Sequence, residues 1–497
     1  MFSCLNDDRN HTFGRVKEKE EDNMSLIQTK IASGLVQGVP GGNQRITVYK
    51  GIPYADTTAE KNRFRAPQPV KPWDGVRICD TFSEICMQKD GSKGLPFVDF
   101  FDKEFNKIPY NCGDDCLKLN VWTPAQSKEE RLPVMFWIHG GGLGSGFGHE
   151  SEFDGEALCK EGVVVVTINY RLNYFGFFAH PDLSAESENG VSGNYGMLDQ
   201  IAALQWVHDN IEAFGGDKNN VTIFGQSAGG GSVVSHLCTD KTDGLFHKAI
   251  IQSGTFGVMS YAMSTTLKDA EDWGVKACEV MGKTVEELRE MPLEDLYDAF
   301  DEVAKKIGPV PRQTIDGVLY KEAPGQALLN GHLKNVPIMT GAVEGDRDLG
   351  LPVTEAWLQT IPKEDRTILG DGAIACKQEE AGRIPAYVFF FDAFIPGGDA
   401  FHFVPDGQFY HSAELWYVFG TLNRCWRPFD GKHYDLSNAM MKYWTNFAKT
   451  GNPNGEGLVN WEPVTSENEN RLYLSESRIE MQKLEYLDVI KENLLKK

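Results

Sequence analysis

The chain is short of positive charge, of cysteine and of long apolar runs, and each shortage argues against a class of function. Lys plus Arg number 49 against 71 Asp plus Glu, a formal net charge of −22. Nucleic acid and anionic membranes are bound by clustered positive charge, so neither is an expected partner. No stretch reaches the ~18 consecutive apolar residues of a membrane span. The nearest, residues 163–168, stops at Asn169. Ten cysteines in 497 residues are too few for a disulfide scaffold. There is no CxxC pair, and Cys112 and Cys116 have neither a second pair nor a histidine couple nearby. HExxH is also missing, so no metal is expected. Two nucleotide signatures fail by counting. The glycine-rich residues 139–148 lack GxGxxG spacing. Gly282-Lys283-Thr284 imitates the end of a P-loop, but Ala277 stands where its first glycine belongs.

Repeats, low-complexity tracts and Pro/Ser-rich linkers are absent too, so residues 25–497 read as one large domain. Residues 1–24 are crowded with charge and have no apolar core. They read as a flexible leader, not a secretory signal, with Met24 a candidate start. With neither signal nor span, the expected location is the cytoplasm.

What is present is ample core: 41% hydrophobic and 24% charged residues. Residues 35–39, a Gly-Gly-Asn turn and residues 46–49 predict an N-terminal β-hairpin. Residues 133–138, 163–169, 221–224, 249–251 and 386–391 are apolar or β-branched runs. Strands apolar on both faces belong in a sheet covered on both sides. Between them Ile201, Leu204, Val207 and Ile211 mark one face of a helix. The alternation predicts an α/β fold with a central, mostly parallel sheet flanked by helices.

One motif survives in its required setting. Gly225-Gln226-Ser227-Ala228-Gly229 fits GxSxG, with a strand run before it and a helix-compatible stretch after it. That is the nucleophile elbow of α/β-hydrolases, a turn so tight that glycines must flank the serine. Alone the pattern is weak, because small residues also open ordinary helices. It gains from His139-Gly140-Gly141-Gly142, which follows a strand some 85 residues earlier. Acyl transfer needs backbone N–H donors aimed at an oxyanion, and glycines let the backbone come that close.

With these motifs the chain resembles the type-B carboxylesterase family, which includes the cholinesterases, and bacterial-type carboxylesterases most of all. The resemblance runs from about residue 30 to 465. It rests on Val48-Tyr49-Lys50-Gly51-Ile52-Pro53-Tyr54-Ala55, Asp115-Cys116-Leu117-Lys118-Leu119-Asn120-Val121, Asn169-Tyr170-Arg171-Leu172, residues 193–230, Tyr443-Trp444-Thr445-Asn446-Phe447-Ala448 and Gly451-Asn452-Pro453-Asn454. It implies an α/β-hydrolase fold and a serine esterase working on small-molecule esters without a cofactor. Residue by residue, it implies Ser227 as nucleophile, His411 as base and Glu344 as acid. Gly141, Gly142 and Ala228 match the oxyanion-hole positions. The family usually has more residues between the glycine after the acid-bearing strand and the acid than the two separating Gly341 from Glu344. Asp346 and Asp348 lie close enough to compete.

Three departures shape the expected specificity. Gln226 stands where the family often has Glu. Cys86 and Cys116 match a loop-closing family disulfide, but residues 86–116 contain none of the tryptophan that binds cations in cholinesterases. Choline esters should therefore have no advantage over neutral ones. Only 67 residues separate Glu344 from His411 (411 − 344), with the shortening placed in residues 351–368. A wider pocket tolerant of bulky acyl and alcohol groups follows, unless Trp357 and the leader refill it. The rival readings are an amidase or peptidase on the same residues and a non-catalytic cholinesterase-like binding protein.

Overall fold

The computed structural model describes residues 26–89, 104–105, 109–255, 264–349, 361, 363–397 and 409–494. The proposed leader and residues 351–360, with Trp357, lie outside them. Among the described residues, sixteen strands follow in chain order. They are β1 (Gln28–Ile31), β2 (Gly34–Gln37), β3 (Val39–Pro40), β4 (Thr47–Pro53), β5 (Val76–Ile78), β6 (Lys118–Thr123), β7 (Leu132–Ile138) and β8 (Val164–Ile168). After these come β9 (Gly216–Gln226), β10 (Lys248–Gln252), β11 (Ser264–Thr266), β12 (Gln313–Ile315), β13 (Ile338–Val343), β14 (Tyr387–Phe391), β15 (Asn470–Leu474) and β16 (Ile479–Lys483).

Eleven of them form one sheet in the order β16-β15-β14-β13-β10-β9-β7-β8-β6-β4-β3. The centre, from β15 to β8, is parallel. Both margins are antiparallel. Alternation along the strands sends side chains to two cores, one on each face. Val134, Phe136 and Ile138 of β7 join one, and Met135 and Trp137 join the other. The helix Tyr195–Asn210 seals the first face with Leu204 and Val207, both fully buried, as the sequence spacing predicts. The helix Gly431–Thr450 seals the second with Met440, Trp444 and Phe447.

The N-terminal hairpin is shorter than expected. Residues 35–39 split at Gly38, where a Cβ would lie 2.8 Å from both Thr47 Cγ2 and the Val48 carbonyl oxygen. Before it, β2 pairs with β1 and β5 in a separate three-stranded sheet. After it, only Val39–Pro40 pairs with β4.

Parallel register brings the C-terminal ends of β7, β9, β10 and β13 to one edge. Ile138 lies beside Gly225, Gln252 beside Gln226, and Gly341 beside Gln252. In such sheets the crevice outside these strand ends is where ligands bind. A buried ion pair lies just past the end of β8. Arg171 donates through Nε and Nη2 to the two carboxylate oxygens of Asp199, each at 2.7 Å, and Nη1 reaches the Arg65 carbonyl at 2.7 Å. Both side chains are buried. Removing one partner strands the other charge in the interior. We expect Asp199→Ala to lower unfolding free energy by about 3–5 kcal/mol in urea titrations. A loss under about 1 kcal/mol would show the pair to be dispensable.

Candidate active site

The strand β9 runs into Ser227, whose backbone sits at φ 56°, ψ −124°, a conformation side-chain-bearing residues seldom adopt. Two hydrogen bonds hold it: Ser227 N–H donates to the Gln252 carbonyl at 2.9 Å, and Gly231 N–H to the Ser227 carbonyl at 2.9 Å. The turn exists only because its neighbours lack Cβ atoms. A Cβ on Gly229 would lie 2.0 Å from the Ile138 carbonyl oxygen, and one on Gly225 2.5 Å from that of Gly229. The helix Ala228–Leu237 starts immediately afterwards, so its positive end sits at the serine.

The glycine loop after β7 lies against this turn. A Cβ on Gly140 would meet Ser227 Cβ at 3.2 Å. Gly141 (φ 88°) and Gly142 (φ 62°) occupy left-handed backbone. The loop is pinned where it does not need to move. The Tyr170 hydroxyl donates to the His139 carbonyl at 2.8 Å, and the two rings stack at 4.3 Å. Gln88 bonds both the N–H and the carbonyl of Gly146. Burial drives the His139 pKa down to about 3, so this ring stays neutral. Among the described residues, the N–H groups of Gly141, Gly142 and Ala228 donate to no protein acceptor. They are open donors beside a serine.

His411 arrives from the far side. Its Nδ1 bonds Asp346 Oδ1 at 2.5 Å, and both side chains are buried. The Nδ1 partner is thus Asp346, one of the two aspartates that compete with Glu344 for the acid's role. The two carboxylates belong to a 3-10 turn, Glu344–Leu349, that begins as β13 ends. At about three residues per turn, side chains two apart diverge widely, so the two cannot share one direction. Gly345 sets which faces inward: a Cβ there would lie 2.1 Å from the Tyr410 carbonyl carbon, so the turn presses on the residue before His411. Asp346 is fully buried and Glu344 is not. The signal was in the spacing, since Asp346 restores the longer interval from Gly341 usual in the family. The Asp348 side chain lies outside the described residues.

With Nδ1–H donated to a carboxylate, the tautomer leaves a lone pair on Nε2. The Gln226 side-chain amide meets Nε2 at 3.2 Å. Among the described residues Ser227 Oγ makes no hydrogen bond, and the Gln226 amide is the group that meets Nε2. Cys86 and Cys116 are free, buried thiols, and the neighbouring Cys86 together with burial pushes the Cys116 thiol well up. Among the described residues, no cluster of His, Cys, Asp or Glu could hold a metal, and no helix is long and apolar enough to cross a membrane.

A model of the carboxylesterase family matches residues 24–371 and 364–488. The chain belongs to the carboxylesterase family. It is 33% identical to para-nitrobenzyl esterase of Bacillus subtilis, over 87% of this chain and 92% of that protein. Liver carboxylesterase 1 of Oryctolagus cuniculus is also 33% identical, covering 92% and 90%. A solved para-nitrobenzyl esterase structure superposes with a TM-score of 0.78 at 27% identity, over 94% of this chain and 99% of that one. The carboxylesterase of Geobacillus stearothermophilus gives 0.75 at 29%, over 93% and 99%. The protein is thus a carboxylic-ester hydrolase with the α/β-hydrolase fold.

Sequence reasoning missed two further carboxyls behind His411 in this carboxylesterase. Asp371 accepts a hydrogen bond from the Thr340 hydroxyl, and Glu414 one from Gln252 at 3.1 Å. Burial, reinforced by the nearby Asp346 charge, pushes Asp371 up to about 8 and Glu414 up to about 7. Burial disfavours the charged form of both. An acid whose folded pKa is raised stabilises the protein below its ordinary pKa, and loses that contribution as pH climbs through the folded value. For Asp371 the window runs from about 4 to about 8. We expect Asp371→Asn to gain in Tm relative to wild type between pH 5 and pH 9 by scanning calorimetry. A Tm difference that stays constant across that range would contradict the shift.

Proposed function

We propose that Ser227, His411 and Asp346 form the catalytic triad of this carboxylesterase. His411 Nε2 takes the Ser227 proton as Oγ attacks the ester carbonyl, after the Gln226 amide yields its place. The N–H groups of Gly141, Gly142 and Ala228 hold the oxyanion of the tetrahedral intermediate. The imidazolium returns the proton to the departing alcohol, leaving an acyl-enzyme, and water repeats the sequence to release the acid. Asp346 fixes the ring tautomer and stabilises its cation, the role first expected of Glu344. The observation that carries this reading is the carboxylate-bound His411 reached by Gln226, the residue immediately before a strained serine.

The substrates are esters of varied acyl and alcohol size. Relatives support that breadth: one is named a para-nitrobenzyl esterase, and another, from Anas platyrhynchos, a medium-chain fatty acyl-CoA hydrolase. The segment proposed to widen the pocket falls largely outside the described residues. Comparing p-nitrophenyl esters with the matching anilides separates esterase from amidase, and we expect the esters to dominate.

Ser227→Ala removes one oxygen from a turn and should fold normally. Its kcat on p-nitrophenyl butyrate should fall by roughly 10³-fold or more. Near-wild-type turnover would remove Ser227 from the mechanism. Asp346→Asn should cut kcat by roughly 10³–10⁴-fold, because the amide favours the wrong tautomer. Glu344→Gln should cost less than about tenfold. The reverse order in these two variants would return the acid's role to Glu344.

A further inference from the structure

Beside the oxyanion loop stands a cation that the reaction does not call for. The guanidinium of Arg312 faces Gly142: its Nη1, Nη2 and Cζ lie 3.0, 3.8 and 3.9 Å from where a Gly142 Cβ would be. The side chain is partly buried, yet among the described residues it makes no hydrogen bond and no ion pair. In a chain with 71 acidic residues, a guanidinium in such a place without a carboxylate is unusual. Arg stays charged in any protein environment, so its positive field stands at the site at every working pH.

Its mounting is rigid. Pro309 and Pro311 precede it and β12 follows. Gln313 ties that strand to Ser235 at 2.8 Å, on the same helix that begins at Ala228. The Asn194 side chain clamps the N–H and the carbonyl of Thr314 at 2.9 and 2.7 Å. The guanidinium is thus held beside the loop that carries the open N–H donors, with its own donors unspent. Planar, forked donors of this kind match a carboxylate.

We propose that Arg312 is a specificity residue that receives a free carboxylate on the substrate, so that half-esters of short dicarboxylic acids are substrates of this site. The proposal rests on the Ser227 reading. The charge sits beside the loop whose N–H groups are proposed to hold the reacting carbonyl oxygen. A neutral ester leaves the guanidinium to water, whereas a half-ester gives it a charge-assisted partner.

The test compares kcat/KM for monoethyl succinate and diethyl succinate in wild type, Arg312→Gln and Arg312→Lys, with folding checked by circular dichroism. The half-ester to diester ratio should fall roughly tenfold or more in Arg312→Gln, with Arg312→Lys in between. The same loss should appear in wild type as salt is raised, because the contact is ionic. A ratio unchanged in Arg312→Gln overturns the proposal, and so does an equal loss on both esters, which would make Arg312 a support for the oxyanion loop. Diethyl succinate is the control for the underlying reading. If Ser227→Ala still hydrolyses it, the nucleophile assignment fails, whatever Arg312 does.

Discussion

Everything in this site hangs on how closely backbones approach at the C-terminal end of β9. Ser227 is held at φ 56° in a turn that costs about 1–3 kcal/mol of strain. That cost is offset by the parallel ladder on either side, with Ile138 beside Gly225 and Gln252 beside Gln226. The glycines at 140, 225 and 229 are sterically required here, since a Cβ at any of them would fall within 3 Å of a carbonyl oxygen. The backbone thus fixes the serine and the open N–H donors beside it in advance.

The same economy of space governs the acid. Gly345 lets the turn after β13 press on Tyr410, and that contact brings Asp346 to His411 Nδ1. Behind it, Asp371 and Glu414 are held up by burial. The low-dielectric interior thus disfavours the charged form of both, and Asp346 is the carboxyl in contact with the imidazole. Arg312 supplies a fixed positive charge next to the glycine loop at Gly142. The candidate site is therefore flanked by a carboxyl cluster behind His411 and by a guanidinium beside the glycine loop.

Much of this was legible in the chain. Apolar runs such as residues 221–224 and 386–391 marked central strands, because strands buried on both faces cannot alternate. Glycine spacing located both the tight turn at Ser227 and the glycine loop that lies against it, since close backbone approach leaves a compositional mark. The acid was less legible. Glu344, Asp346 and Asp348 are chemically equivalent on paper, and only the hand of a short 3-10 turn against Tyr410 separates Glu344 from Asp346. The hairpin was misjudged at Gly38, where one residue diverts the chain between two sheets. Arg312 left no pattern at all. Its neighbour Gly142 is 170 residues away, and no local periodicity reports such a contact (312 − 142).

The central claim is that Ser227 is the nucleophile, driven by His411 and Asp346. The most direct measurement is the rate and site of labelling by a fluorophosphonate, read by intact mass and peptide mapping. The account predicts one adduct per chain, on Ser227, formed much more slowly in Asp346→Asn and at close to the wild-type rate in Glu344→Gln. An adduct on any other residue, or labelling that does not slow in Asp346→Asn, would contradict it.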